Sequence, residues 1–322
     1  MFTINEIKGF VQHGVQSVVT AQPHSTLYVP VEYAMSIGGK RIRPMLCLLT
    51  SNLFLDDVPP TVLKPALGLE IYHNFTLLHD DVMDDSPLRR NQMTVHKKWG
   101  VNTAILSGDT MCIMAYEYIC QCATEVLPQV LDAFNKATLA VCEGQQLDMD
   151  YEHQMVITEE DYLNMISKKT GALLACSFQM GALCAQQDAA TVRALYNCGL
   201  SLGIAFQIQD DYLDVYGDQN VFGKPIGSDI RNNKKTWLLT YALRKAAGND
   251  LSLLNELIQG NAEDKVAQVI AIYDRLGVKE AAEKSISSFF AEALNYLDGV
   301  SVKNERKAPL LEYIQSLLHR EK

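Results

Sequence analysis

Apolar residues recur at three- and four-residue intervals along most of this chain, and strict alternation over strand-length windows is hard to find, which predicts an all-α fold. The clearest helical segments are Leu63 to Val82, Val101 to Glu125, Val130 to Asp150, Thr170 to Gln186, Ala189 to Tyr216, Lys265 to Leu276 and Glu280 to Leu297, with Pro309 starting a last amphipathic helix. Breakers fall between them: Pro59-Pro60, Gly100, Pro128, Gly217, Gly223-Lys224-Pro225, Gly248 and Gly277. Connections are short except two. Residues 84–99 and 217–233 are polar and basic, and each directly follows a run of aspartates, where a loop covering a substrate is expected.

Composition adds bounds. The 322 residues show no change of composition and no Pro/Gly/Ser-rich linker, so the reading is one domain over residues 1–322. An apolar fraction of 48% with 20% charged residues fits a chain that buries a large core and can hide a deep pocket. The start, MFTINEIKGFVQHG, has neither a secretory nor a transit-peptide pattern, and a cytoplasmic location is expected. No apolar stretch approaches the roughly 20 residues of a membrane span. Eight cysteines without CxxC spacing read as reduced core residues. A net charge of −10 argues against nucleic acid, so any phosphate binding must be local.

Much of the acidic excess sits in two places. His79-Asp80-Asp81-Val82-Met83-Asp84-Asp85 closes one apolar helix, and Gln207-Ile208-Gln209-Asp210-Asp211-Tyr212-Leu213-Asp214 closes another. Both contain DDxxD, whose first and third aspartates lie four residues apart on one helix face. Three carboxylates at a helix C-terminus repel each other and oppose the dipole, so cations are needed to occupy the face. Hard Mg²⁺ suits it, taking one or two carboxylates and completing its octahedron with water and substrate phosphate oxygens. One isolated DDxxD reads best as a solvated helix end; two copies, each followed by basic residues, reverse that preference.

Those basic residues are grouped. Gly38-Gly39-Lys40-Arg41-Ile42-Arg43-Pro44 places three cations in a glycine-opened turn, and it lacks the P-loop spacing of nucleotide sites. Arg89 and Arg90 follow the first cluster closely enough to fold back over it. Lys168, Lys169 and Thr170 precede an apolar helix, and Lys224, Asp229, Lys234 and Thr236 follow the second cluster. Arginine forks suit phosphate oxygens.

Together these motifs resemble the trans-isoprenyl diphosphate synthases, the polyprenyl synthetase family. GGKRIRP, HDDVMDDSPLRR, SGD at Ser107 to Asp109, EGQQLD at Glu143 to Asp148, KTGAL at Lys169 to Leu173, FQIQDDYLD and GKPIGSDIRNNKKT all look like family motifs, in order from Gly38 to Thr236. The resemblance implies a single-domain bundle of long antiparallel helices around a central cavity, a homodimer, and two DDxxD motifs facing each other at the cavity mouth. It implies that Asp80, Asp81, Asp84, Asp210, Asp211 and Asp214 hold about three Mg²⁺ on an allylic diphosphate. Arg89, Lys169, Thr170, Gln207, Lys224 and Lys234 would contact that diphosphate, with Lys169 and Lys224 counted among the catalytic groups. Lys40, Arg43, His73 and Arg90 would bind isopentenyl diphosphate, and Arg320 and Lys322 resemble a basic closing tail.

Product length then depends on what blocks the cavity below the first cluster. Phe75 lies about 7.5 Å and Tyr72 about 12 Å along the helix from Asp80, with small Thr76 one turn below it. This arrangement is similar to short-chain synthases, so geranylgeranyl diphosphate (twenty carbons) is the expected product and the farnesyl compound (fifteen) the nearest alternative, with twenty-five carbons further off. Met111, Met114 or Tyr116 on the following helix are the other candidates for the floor. A class I terpene cyclase or a non-catalytic synthase subunit are more distant readings, since both clusters are intact and a second diphosphate pocket is present.

Overall fold

The computed structural model describes residues 1–20, 25–217, 226–260 and 263–318, and the chain there is helical almost throughout. Helices run in the order α1 (Ile4–Thr20), α2 (Val29–Ser36), α3 (Ile42–Ser51), α4 (Pro60–Met83), α5 (Val95–Trp99), α6 (Val101–Ile119), α7 (Leu127–Glu152), α8 (Glu159–Ile166) and α9 (Ala172–Cys184). After these come α10 (Ala189–Tyr216), α11 (Ser228–Arg231), α12 (Trp237–Lys245), α13 (Gly248–Gln259), α14 (Lys265–Arg275), α15 (Val278–Asp298) and α16 (Asn304–Leu318). The all-α expectation holds, and no described helix is long and apolar enough to cross a membrane.

Four local expectations are corrected. The last helix starts at Asn304, with Pro309 inside it rather than at its head. The segment expected over Val101 to Glu125 ends at Ile119, and a 3₁₀ turn occupies Thr124–Val126. A π-helical turn, Ser167–Gly171, precedes α9 where one regular helix was expected from Thr170. Residues 84–99 are not a plain loop: Leu88–Arg89 (β1) pairs antiparallel with Gln92–Met93 (β2), Leu88 opposite Met93, and α5 follows. Arg90 and Asn91 make its turn with φ of 52° and 61°, the left-handed pair that matches strand twist in a two-residue hairpin. Two-residue strands are too short for alternation to register, and arginine is an unusual residue at such a turn.

The chain divides into two compact units. Unit 1 comprises Met1–Phe134, Ser177–Arg193 and Ser301–Leu310. Its core includes Leu46, Leu48, Leu67, Leu69, Tyr72 and Phe134, all 2% exposed or less, so α3 and α4 present nearly continuous apolar faces. Gly68 of α4 lies so close to α6 that an added Cβ would fall 3.0 Å from the Ala115 carbonyl oxygen. Unit 2 comprises Asn135–Cys176, Ala194–Val300 and the chain from Leu311 on, and its core gathers Tyr162, Ile166, Ile208, Trp237, Leu238, Leu254, Ile272 and Tyr273.

Five cysteines (Cys47, Cys122, Cys176, Cys184, Cys198) are buried, as core residues should be, while Cys120 and Cys142 are exposed. Burial pushes the Cys176 and Cys198 thiols up to about 12, which keeps them protonated.

The entry to α8 shows how a short helix is started. Thr158 Oγ1 accepts from the Asp161 N–H at 3.0 Å, and Asp161 Oδ2 accepts from the Thr158 N–H at 2.9 Å, a reciprocal capping box. Thr158→Ala is expected to cost about 1 kcal/mol, read as a lower midpoint in urea unfolding with an unchanged slope; an unchanged midpoint would show the cap to be idle.

Candidate active site

In unit 1 the first aspartate cluster ends α4. Asp80 and Asp81 lie in its last turn and Asp84 caps it, its N–H donating to the Asp80 carbonyl at 2.9 Å. The three are not equivalent. Asp81 is buried, and Arg89 Nε donates to its Oδ1 and Oδ2 at 2.9 and 2.8 Å, while Arg89 Nη2 lies 2.7 Å from Oδ1 and 3.4 Å from Asp80 Oδ2. Burial raises the Asp81 pKa against the opposing pull of Arg89. Asp80 is partly exposed and Asp84 exposed, on the face the i, i+4 spacing makes common. The hairpin β1–β2 delivers Arg89 here, held by the Thr94 hydroxyl donating to the Ser86 carbonyl at 2.7 Å.

The same hairpin aims Arg90 at the glycine-opened turn. Arg90 Nη1 donates to the Gly38 carbonyl, and its guanidinium covers Gly39, where a Cβ would fall 2.6 Å from Nη1. Gly39 also has φ of 127°, a conformation other residues avoid. Arg41 points inward, donating to Glu70 Oε1 at 2.7 Å and to the Met35 carbonyl. Glu70 is 2% exposed and accepts from Asn74 Nδ2 at 2.9 Å. Burial lowers Arg43 to about 10, opposed by Glu70 and assisted by Arg90. His73 is held well below its ordinary range by burial and by Arg43, Arg90, Arg89 and Arg41, so it is a neutral ring among guanidiniums. Arg43, His73 and Arg90 are thus brought together, while Lys40 is exposed. Arg41 and Glu70 were not foreseen as supports; a buried glutamate in an apolar helix is the signal that marked them.

Below the cluster an aromatic chain runs through unit 1. Phe75 meets His79 at 4.7 Å and Tyr72 at 5.3 Å between ring centroids, Tyr72 meets Phe134 at 5.3 Å, and Phe134 meets Tyr116 at 5.0 Å. Thr76 turns its hydroxyl back to the His73 carbonyl at 2.8 Å.

In unit 2 a cavity of about 220 Å³ is lined by Asp148, Lys169, Thr170, Gln207, Asp210, Asp211, Asp214, Asp229, Lys234 and Lys235, with Tyr162, Met165, Ile166 and Thr236. Here Asp211 and Asp214 are both 5% exposed, and among the described residues Asp211 is the more heavily hydrogen-bonded of the two. Asp211 Oδ2 accepts from the Tyr162 hydroxyl at 2.6 Å and the Trp237 N–H at 2.8 Å, and Oδ1 from Gln207 Nε2 at 3.2 Å. Burial, with Asp229 adding to it, pushes Asp211 up to about 7. Asp214 Oδ2 accepts from the Asp229 N–H at 3.0 Å.

Glycines let the backbones behind Lys169 and Thr170 approach closely. At Gly144 of α7 an added Cβ would lie 2.3 Å from the Lys169 nitrogen, and at Gly203 of α10 2.6 Å from the Gly171 Cα. The π-helical turn therefore sits directly on both backbones, and its extra residue swings Lys169 and Thr170 toward the cavity. Asp148 holds Lys169 Nζ at 2.5 Å, Glu143 holds Lys168 at 2.8 Å, and the Thr170 hydroxyl donates to Gln207 Oε1 at 2.8 Å. Of the expected residues, Lys169, Thr170, Gln207, Lys234 and the three aspartates meet here; Lys224, Arg320 and Lys322 lie outside the described residues. Tyr162 was missed, because a tyrosine in an amphipathic helix reads as core, while Asp148 and Lys235 stood inside quoted motifs without being given a role.

The donor set suits a magnesium diphosphate. The carboxylate oxygens are hard ligands with cations beside them, and among the described residues no group of three or more His, Cys, Asp or Glu side chains is arranged to hold a metal ion without further ligands from a substrate. Open carboxylate faces are what Mg²⁺ uses when phosphate oxygens complete its shell.

Known proteins agree with this reading. The polyprenyl synthetase family matches residues 24–276. A short chain isoprenyl diphosphate synthase of Methanothermobacter thermautotrophicus is 37% identical over 284 residues, 88% of this chain and 87% of that protein. A geranylgeranyl diphosphate synthase of Sulfolobus acidocaldarius is 34% identical, covering 96% and 95%. The crystal structure of a geranylgeranyl pyrophosphate synthase superposes with a TM-score of 0.94 at 37% identity, covering 100% of both chains.

Proposed function

The chain belongs to the polyprenyl synthetase family and is a prenyltransferase, and from that premise we propose that it joins isopentenyl diphosphate to allylic diphosphates to make geranylgeranyl diphosphate. The observation that carries this is the unit 2 cavity, lined both by carboxylates for metal and by the donors Lys169, Thr170, Gln207 and Lys234. Asp80, Asp84, Asp210 and Asp214 are the metal-facing carboxylates in this reading, with about three Mg²⁺ per site. Asp81 and Asp211 instead hold Arg89 and the Trp237 backbone. Bound Mg²⁺ supplies positive charge that stabilises the departing diphosphate.

The protein's own groups do the rest. Lys169, Thr170, Gln207, Lys234 and Arg89 bind the allylic diphosphate, and Lys169 exchanges its Asp148 partner for a phosphate oxygen. The allylic carbon–oxygen bond breaks with both electrons leaving on the diphosphate, and donors preorganised for that charge favour the broken state. Lys40, Arg43, His73 and Arg90 hold isopentenyl diphosphate, whose double bond attacks the cation. The new carbon–carbon bond forms, a proton leaves to the released diphosphate, and the chain is five carbons longer. Lys224 belongs to the same proposal as a second lysine on the allylic diphosphate.

Tyr72, backed by Phe134 and flanked by Phe75, forms the floor that stops growth at twenty carbons. Exposed Leu106 and Ile113, seven residues apart on one face of α6, support a homodimer. The test is incubation with Mg²⁺, isopentenyl diphosphate and separate five-, ten- and fifteen-carbon allylic diphosphates, with products identified by mass spectrometry. Twenty-carbon product that lengthens in Phe75→Ala and Tyr72→Ala is the expected result. A fifteen-carbon end point would favour the farnesyl reading; a cyclised hydrocarbon from any primer would favour a cyclase.

A further inference from the structure

We propose that Lys265 is a positioning residue for the unit 2 cavity, acting through Asn233 on the turn that carries Lys234 and Lys235 into its wall. Lys265 opens α14 and is 4% exposed, although lysine is seldom buried without a partner. Its Nζ donates to Asn233 Oδ1 at 2.6 Å and to the Gly260 carbonyl at 3.1 Å, bonds that offset the cost of taking an ammonium out of water. Asn233 has φ of 55°, the left-handed conformation that asparagine tolerates and that reverses the chain after α11.

That reversal has direct consequences at the cavity. The Lys234 N–H donates to the Asp229 carbonyl at 3.0 Å and the Thr236 N–H to the Lys234 carbonyl at 3.0 Å. Both ends of the segment are tied to the second cluster, since the Asp229 N–H reaches Asp214 and the Trp237 N–H reaches Asp211. Its middle is tied to Lys265. The lysine itself lies outside the larger cavity and lines a cavity of about 20 Å³ together with Asp229, Asn233 and Lys234. Its influence therefore passes through the turn, not through contact with a substrate. The start of α14 is held against this segment, because a Cβ at Gly227 would fall 2.4 Å from Val266 Cγ1.

This inference rests on the proposed role of Lys234 toward an allylic diphosphate, and its test is built to separate the two. Full-length Lys265→Met, Lys265→Arg and Asn233→Gly proteins are titrated with inorganic diphosphate in Mg²⁺ by calorimetry, and the KM of each substrate is measured. Lys265→Met is expected to weaken diphosphate binding and raise the allylic KM by about tenfold, the scale seen for outer-shell partners of a metal site, while the isopentenyl KM stays within about twofold. Asn233→Gly keeps the left-handed backbone but removes the acceptor, so it should reproduce the loss, and the double variant should be no worse than either alone. Lys265→Arg should recover most of the affinity. Unchanged diphosphate binding in Asn233→Gly, or losses that multiply in the double variant, overturns the proposal even if Lys265→Met fails to fold. Wild-type protein that binds magnesium diphosphate but elongates no primer would instead sink the elongation reading and leave Lys265 in place.

Discussion

Asp80→Asn is expected to lower kcat by about a thousandfold while leaving the fold intact. The amide matches the carboxylate in shape, and Asp80 is 23% exposed in the last turn of α4, so packing has little to lose. What disappears is the charge that, with Asp84 one turn on, makes an open face for a divalent cation. The internal control is its neighbour. Asp81 is 7% exposed and gives both oxygens to Arg89, so Asp81→Asn removes a charge-assisted pair instead of a metal-facing group. It should cost about 2 kcal/mol of stability and only about tenfold in turnover, through a loosened Arg89. Steady-state kinetics across a Mg²⁺ titration, alongside urea unfolding, reads both. If Asp80→Asn retained half its turnover, or if the two variants behaved alike, the division of labour within the cluster would be wrong.

Gly144→Ala should be a strongly damaging single-methyl change. The added carbon would lie 2.3 Å from the Lys169 nitrogen and 2.7 Å from its Cα, so it meets backbone that cannot rotate aside. Either α7 or the π-helical turn must move, at a cost of about 3 kcal/mol, the upper part of the range for overpacking. The movement would also carry Lys169 and Thr170 away from Gln207 and the cavity, so the allylic KM should rise while the isopentenyl KM does not. Gly9→Ala is a control: a Cβ there meets nothing within 4 Å, and the substitution should be neutral or slightly stabilising. Thermal unfolding and a pair of KM values decide the matter; an unaltered melting temperature in Gly144→Ala would mean that the crossing of α7 and the turn is looser than described.

Much of this was legible without a structure. Three- and four-residue periodicity predicted helices from Leu63 to Val82 and from Ala189 to Tyr216, where α4 and α10 lie, because a helix is held by contacts three and four residues apart. The aspartate motifs and their order pointed to magnesium and diphosphate for the same reason, each being a local pattern on one helix face. Punctuation was less secure. Pro309 looked like a helix start, yet it lies five residues inside α16, and the Arg90–Asn91 hairpin turn carries no glycine to announce it.

By itself, then, the sequence determined the helical class and the family, and it singled out two aspartate motifs and their basic neighbours as candidates, since these follow from spacing within single segments. Tertiary structure alone decided which members of each motif are turned inward. Asp211 meets Tyr162 across 49 residues, Arg90 reaches Gly38 across 52, and Lys265 reaches Asn233 across 32. Such pairings depend on where two backbones cross and how closely their glycines let them approach, and the energy that selects those crossings comes from burying whole faces, which no local stretch of residues encodes.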